Sequence, residues 1–198
     1  MNLPEAKIRK QEVDFYEDVF DFVKKSTKHC FKQFIDNDEI NIFEIPEMEA
    51  INYDHWVCAI NIKLDFANIA VKLHYRSNVA RLIAANRLNM PPNSIPNQFI
   101  RDIIQEYLNL VMGQIKQNYK SADVSVTVPE TTPTGDLDDP RVEAIDRNVA
   151  TWKLSWPEDM LYFLCMVNLE SSVSNEELEN LITFEADDEN DSGEMELF

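Results

Sequence analysis

Two side chains that could act together on a polar ligand, Glu106 and Asn109, lie three positions apart on a long amphipathic segment. Asp102 stands four residues before Glu106, and Gly113 stands four residues after Asn109, so all four positions fall on one stripe of a helix. The other side of that helix carries apolar residues suited to a core, namely Ile100, Ile103, Ile104, Tyr107, Leu108, Val111 and Ile115. The pattern predicts that the carboxylate and the amide point outward together.

The spacing alone does not separate a functional site from an ordinary solvated helix face, which also carries Glu and Asn. The same Glu-x-x-Asn spacing begins at Glu49 and at Glu177. Only the pair that begins at Glu106 lies on a long amphipathic helix, and it precedes a glycine in a chain that has only 3. Because glycine inside a helix costs about 1 kcal/mol relative to alanine, we expect Gly113 to have a packing reason.

Other catalytic and ligand-binding patterns are absent from the sequence. The histidines have no metal-ligand spacing, and no glycine-rich phosphate loop, G-x-S-x-G motif or kinase signature occurs. A cofactor-dependent enzyme is therefore not expected. His74 falls on the polar side of an alternating strand, where we expect it to be exposed. The three cysteines, Cys30, Cys58 and Cys165, are widely spaced along the chain. We expect them to be free, buried thiols, as in a cytoplasmic protein.

The charge balance excludes several classes of partner. The 198 residues include 18 basic and 36 acidic side chains, a net charge of −18, whereas nucleic-acid binding needs clustered Lys and Arg. Binding to an anionic membrane surface is disfavoured for the same reason. No apolar run is long enough to span a membrane. The first residues do not resemble a signal peptide.

The acidic residues are concentrated at one end of the chain. Residues 171–198 contain 10 acidic side chains and no basic one. We interpret them as an acidic tail, partly helical near 174–184 and disordered after it, that follows a domain over residues 1–170. Two roles stay open for this tail, a solvated extension that aids solubility and a peptide that docks on a partner.

Hydrophobic periodicity predicts an α+β fold. Steps of three and four indicate helices over 11–35, 77–88 (with Ser77 as a possible cap) and 96–119. Alternation indicates strands near 40–45, 60–75 (a hairpin turning at Ala67-Asn68), 124–128, 152–156 and 161–169, with a polar loop over 130–147. A long helix followed by about three strands occurs twice. We therefore expect two pseudo-repeated halves, with the long helices packed on an antiparallel sheet.

At these residues the sequence resembles the CheC/CheX/FliY family of chemotaxis phosphatases. The motif of that family is an acidic residue or serine, then E-x-x-N on a long helix, and a proline about twenty residues on. Here the matching residues are Asp102, Glu106 and Asn109, followed by Gly113 and then by Pro129. The likeness covers roughly residues 57–169. It is CheX-like, because one E-x-x-N lies on a long helix where CheC has two sites.

The resemblance implies a bacterial hydrolase that acts on the phospho-aspartate of a CheY-like response regulator. By this likeness, Asn109 and Glu106 are the catalytic residues: Asn109 would orient the attacking water, and Glu106 would pair with the partner's active-site lysine. Asp102 would bind the partner or shape the rim of the site, and Gly113 and Pro129 would be structural. The chain would need no metal or cofactor of its own, since the response regulator would supply Mg²⁺. It would form a homodimer by extending its sheet.

Two alternatives stay open. Tyr107 is bulkier than the residue usual between the Glu and the Asn, Pro133 could replace Pro129, and the acidic tail is not a family feature. These departures favour a non-catalytic, CheX-like dimeric interaction or scaffold protein in two-component signalling. An unrelated α+β domain with a chance match is the other alternative. The test is whether Glu106 and Asn109 protrude unobstructed by Tyr107 or the tail.

Overall fold

One antiparallel sheet of seven strands organises the residues that the computed structural model describes, which are 3–35, 37, 39–45, 56–118, 124–133 and 148–170. The strands are β1 Asn41–Glu44, β2 Trp56–Lys63, β3 Ala67–Tyr75, β4 Ser125–Val126, β5 Glu130–Pro133, β6 Val149–Trp156 and β7 Asp159–Leu169. Their order is β1-β6-β7-β3-β2, and β4 and β5 both pair with the outer edge of β2.

The strand order is symmetric about the central pair, β3 and β7. The hairpin β2–β3 comes from the first half of the chain, and the hairpin β6–β7 comes from the second half. The first strands of each half pair with the hairpin of the other half: β1 pairs with β6, whereas β4 and β5 pair with β2. The two predicted halves are therefore interlocked by exchanged strands.

Helices pack on this sheet and enclose the core. Those in the described part of the chain are α1 Leu3–Phe31, α2 Ser77–Leu88 and α3 Asn97–Asn118, with a short 3₁₀ turn at Pro92–Ser94. The bounds of α3 agree with the prediction to within one residue at each end, whereas α1 begins earlier than predicted and ends four residues sooner. Trp152, Tyr107 and Phe15 are among the largest fully buried side chains of the core. The predicted α+β class is confirmed.

The hairpin β2–β3 turns two residues earlier than the sequence pattern predicted. The backbone N–H of Leu64 donates to the Ala67 carbonyl at 2.8 Å, so Asp65-Phe66 forms the turn and the predicted turn at Ala67-Asn68 is wrong. Phe66 is buried, and its ring centroid lies 6.2 Å from that of Phe15 on α1. Long-range burial of this ring, rather than local turn preference, accounts for the position of the turn.

His74 is buried, with only 4% of its surface exposed, so its predicted exposure is wrong. It lies on a central strand, between Val57 of β2 and Tyr162 of β7. Side chains on the two flanking strands shield it. Alternation along a strand identifies which face a residue lies on, but it does not report how completely neighbouring strands cover that face.

The segment after α3 also differs from the prediction. Residues 130–133 form β5, which pairs with β2 between Ala59 and Trp56, and are not the start of a polar loop. The strand predicted over 124–128 is shorter, because the Thr127 hydroxyl accepts the Asn61 backbone N–H at 3.0 Å and interrupts regular pairing. Residues 134–147, the remainder of the predicted loop, lie outside the described residues.

The predicted tail at 171–198 also lies outside the described residues. The three cysteines are buried and free, as predicted. Burial raises the pKa of the thiols of Cys30 and Cys58 to about 11. Among the described helices, none is both long and apolar enough to cross a membrane.

Candidate functional site

The outward stripe predicted on α3 is present. Asp102, Glu106 and Asn109 are exposed, and Gly113 on the same stripe is partly exposed. The seven apolar residues predicted to face the core from the other side are all buried, and Met112 joins them. Burial of this apolar side fixes the rotation of α3, and it thereby presents the Glu106 carboxylate and the Asn109 amide to solvent together.

Tyr107, between the two motif residues, does not obstruct them. Its side chain is 1% exposed, and its hydroxyl donates to the backbone carbonyl of Thr27 on α1 at 2.8 Å. Its ring makes edge contacts with Phe31 and Phe34, at centroid distances of 5.5 and 5.4 Å. Burial raises the pKa of the Tyr107 phenol well above its usual value, so the hydroxyl stays protonated as a donor. The bulk of Tyr107 therefore anchors α3 to α1 beneath the stripe.

Glu106 has a cationic neighbour that sequence reasoning missed. The Arg87 Nη2 atom, at the end of α2, lies 3.5 Å from Glu106 Oε1, and the two side chains are 42% and 49% exposed. The Arg87 guanidinium also lies 5.4 Å from the centre of the Phe34 ring. Because the pair is exposed, it contributes at most about 1 kcal/mol to stability. The second Glu106 oxygen has no partner among the described residues, so it can accept another cation.

Gly113 does not pack closely against another part of the chain. A Cβ atom added there would meet nothing within 4 Å among the described residues, so the predicted packing role is wrong there. The glycine lies on the solvent side of α3 and has no positive φ angle. Its low helix propensity is therefore uncompensated by any contact in the described structure.

Pro129 lies beside Gln105 of α3, which is four residues before Asn109 and therefore next to the stripe. Pro129 is buried, and its carbonyl accepts a hydrogen bond from Gln105 Nε2 at 3.1 Å. The same Gln105 nitrogen lies 3.4 Å from Thr131 Oγ1 on β5. Pro133, the alternative motif proline, is exposed at the end of β5. Gln105 thus connects the segment that contains Pro129 to the helix that carries Glu106 and Asn109.

The remaining polar groups of the stripe, the Asp102 carboxylate and the Asn109 amide, have no hydrogen-bond or ion-pair partner among the described residues. Nor does the described part of the chain contain a group of three or more His, Cys, Asp or Glu side chains placed to hold a metal ion. An exposed amide can both donate and accept, so Asn109 can hold a water molecule, and Glu106 can hold a cation.

Two contributors to the site were not identified from the sequence. Arg87 meets Glu106 across the connection between α2 and α3, and no local pattern marks a contact over 19 positions. Gln105 adjoins Glu106, but its role depends on Pro129, 24 positions away. Both contacts depend on how the elements pack, which hydrophobic periodicity leaves undetermined.

Comparisons with known proteins agree with this fold. The family model of the chemotaxis phosphatase CheX matches residues 56–141. A solved CheX from Vibrio vulnificus is 14% identical, with a TM-score of 0.57 and coverage of 74% of this chain and 97% of that chain. The CheX of a Borrelia burgdorferi CheX–CheY complex with BeF₃ and Mg²⁺ is 8% identical, with a TM-score of 0.57 and coverage of 75% and 97%.

A CheC-like superfamily protein from Shewanella is 12% identical, with a TM-score of 0.53 and coverage of 76% of this chain and 97% of that chain. Comparison with curated proteins finds no match. At these identities the structural likeness establishes the fold, and the family model adds a match that includes the whole of α3. The resemblance to the CheC/CheX/FliY family is therefore confirmed: the chain matches CheX over residues 56–141 and has a CheX-like fold.

Proposed function

We propose that the chain is a phosphatase that hydrolyses the phospho-aspartate of a CheY-like response regulator. The observation that carries the proposal is the joint exposure of Glu106 and Asn109 on α3, with Tyr107 turned into the core. The family model bears the name of a chemotaxis phosphatase, and the Borrelia burgdorferi CheX structure is a complex with CheY. Both support a response regulator as the partner of this chain.

The chemistry asks the chain mainly to position groups. An acyl phosphate is already activated, so a water in line with the phosphorus can form the new P–O bond while the bond to the aspartate breaks. Inorganic phosphate leaves, and the partner regains its carboxylate. Asn109 would orient the water through its amide, which carries no charge to repel the phosphoryl oxygens. Mg²⁺ in the partner's own site would neutralise charge on the phosphoryl group.

Glu106 would fix the docked position by pairing with the partner's active-site lysine. Arg87 engages only one carboxylate oxygen, at 3.5 Å, which leaves the other to accept the lysine. Asp102, one turn earlier on the same exposed stripe, would lie at the rim of the contact. Pro129 and Gln105 would hold the flanking segment against α3, a structural role.

Binding without hydrolysis is the second candidate function. The contact between Arg87 and Glu106 favours it, because a carboxylate that is also held by Arg87 can attract the partner's lysine without fixing the exact position that in-line attack by water needs. In that case the chain would dock on a response regulator as a scaffold and leave the phosphoryl group intact.

Decay of a phosphorylated response regulator separates the two candidates. CheY-like regulators from the same genome are phosphorylated with acetyl phosphate, freed of the reagent, and followed with and without the chain. Faster decay supports the phosphatase, whereas measurable binding with unchanged decay supports the scaffold. Neither binding nor faster decay with any regulator would contradict both. Glu106→Gln is expected to weaken binding, and Glu17→Gln, an exposed carboxylate on α1, is the control.

We also propose a homodimer formed by sheet extension. Two edges of the described sheet are open: β1 exposes 49% of Phe43, and β4 exposes 37% of Val126. Unpaired strand edges offer backbone hydrogen bonds to a second copy. Light scattering coupled to gel filtration should give twice the 23.0 kDa chain mass. Phe43→Asp or Val126→Asp should restore the monomer mass, depending on the edge used, and a monomeric wild type would contradict the proposal.

A further inference from the structure

A pocket of about 290 Å³ lies where α2 and α3 begin beside β2. Trp56, Tyr75 and Ile100 supply its apolar lining, and four polar residues complete its wall. Its volume is close to the lower limit of small-ligand sites. The pocket is centred near the first turn of α3, whereas Glu106 lies more than two turns further along that helix.

Polar side chains that line this pocket keep hydrogen-bond donors that no other described group uses. The Ser77 hydroxyl oxygen accepts from the Trp56 indole N–H at 2.8 Å, so its own proton is free to donate. This use of Ser77 also corrects the prediction that it caps α2, since the cap position is Arg76 and makes no side-chain bond. The Asn97 Oδ1 atom accepts from Arg81 Nη2 at 2.7 Å, which leaves the amide NH₂ to donate.

Two arginines give the pocket its charge. Arg81 is fixed in place, because its Nη1 atom donates to the backbone carbonyls of Ile95 and Pro92 at 2.7 and 3.3 Å. Arg101 is exposed, and its guanidinium lies 5.8 Å from the centre of the Trp56 ring. No carboxylate among the described residues lines the pocket or pairs with Arg101. Within the described part of the chain, the pocket therefore offers positive charge and hydrogen-bond donors with no competing acid.

The helix starts add to the same potential. α2 and α3 begin at the pocket with Ser77 and Asn97, and neither has an acidic residue in its first turn. Backbone N–H groups at a helix start carry partial positive charge and attract anions. This contribution reinforces the charge of the arginines and is not needed to explain the donor set.

We infer that this pocket binds a phosphate-sized oxyanion, at a site separate from Glu106 and Asn109. The donors of Ser77, Asn97 and Arg101 match the acceptor-only surface of a phosphate, and arginine is the side chain best suited to such an anion. The ligand is free inorganic phosphate or the phosphate group of a small organic molecule whose body contacts the apolar lining. The inference does not depend on the proposed phosphatase activity.

The Trp56 indole N–H provides a direct readout, because it lies in the pocket wall and bonds Ser77. Inorganic phosphate and phenyl phosphate are titrated into ¹⁵N-labelled protein at constant ionic strength, with chloride as the balancing anion. We expect a saturable shift of the Trp56 signal. Tighter binding of phenyl phosphate would identify an organic phosphate, and equal binding would identify free phosphate. An unshifted Trp56 signal in both titrations would overturn the inference.

Two variants locate the binding. Arg101→Gln removes a charge-assisted donor and should weaken binding about tenfold or more. Asn97→Asp keeps the acceptor for Arg81 but replaces the free NH₂ with a charged oxygen, so it should abolish binding while preserving the fold. Lys116→Gln, which removes an exposed charge near the other end of α3, should change binding less than about twofold. Equal losses in Arg101→Gln and Lys116→Gln would overturn the site and indicate screening alone.

Discussion

Replacing Gly113 by alanine should stabilise the protein. The added Cβ would meet nothing within 4 Å among the described residues, and the glycine has no positive φ angle that alanine would resist. Only the difference in helix propensity remains, which favours alanine by about 0.8–1.0 kcal/mol. For a chain of this size that corresponds to a rise in Tm of roughly 2–4 °C.

Urea unfolding followed by circular dichroism measures this gain, with Tm from calorimetry as a second readout. Gln117→Ala, an exposed substitution on the same helix, is the matched control and should be nearly neutral. An unchanged or lower free energy of unfolding in Gly113→Ala would refute the reasoning. It would mean that another part of the chain, or a second copy, packs against this position.

Three further outcomes follow from the buried groups and from Gln105. Tyr107→Phe should lower the free energy of unfolding by about 1 kcal/mol, since it removes the 2.8 Å bond to Thr27; an unchanged value in urea would contradict that anchor. Gln105→Ala should speed amide hydrogen exchange in β5 relative to β6, because the bonds to Pro129 and Thr131 are lost; unchanged protection would show that they do not hold the segment. The free energy of unfolding should fall between about pH 9 and 11: the folded thiols of Cys30 and Cys58 keep their protons to a pKa of about 11, whereas unfolded thiols lose them near 9.0. Urea titrations at pH 8 and 10.5 test this, and equal stabilities would contradict the buried positions of these thiols.

Hydrophobic periodicity predicted α3, the helix that carries Glu106 and Asn109, because its buried residues recur at the spacing of helical turns. The apolar side of α3 from Ile100 to Ile115 is regular enough to fix both its bounds and its exposed stripe. The same logic found the strands of the hairpin β2–β3. The interlocked strand order could not be predicted, because the pairing of β1 with β6 joins residues more than 100 positions apart.

Features set by long-range contacts were missed for the same reason. The turn at Asp65-Phe66 depends on packing against α1, and burial of His74 depends on the strands on either side. From the sequence alone, the bulk of Tyr107 suggested that it would obstruct Glu106 and Asn109. The structure shows instead that Tyr107 is turned toward α1, where its hydroxyl bonds the Thr27 carbonyl, a contact that depends on how the two helices pack. Gly113 is the opposite case: its cost suggested a packing role, and no such contact exists in the described structure.

The most direct test of the central claim is the decay rate of a phosphorylated response regulator with the wild type, Asn109→Ala and Gln117→Ala. Both variants remove an exposed amide from α3, but Asn109 lies one turn from Glu106, whereas Gln117 lies about three turns further along the helix. We expect the wild type and Gln117→Ala to accelerate decay equally, and Asn109→Ala to lose the acceleration while still binding the regulator. Equal acceleration by Asn109→Ala would contradict the assignment of the amide as the group that orients water.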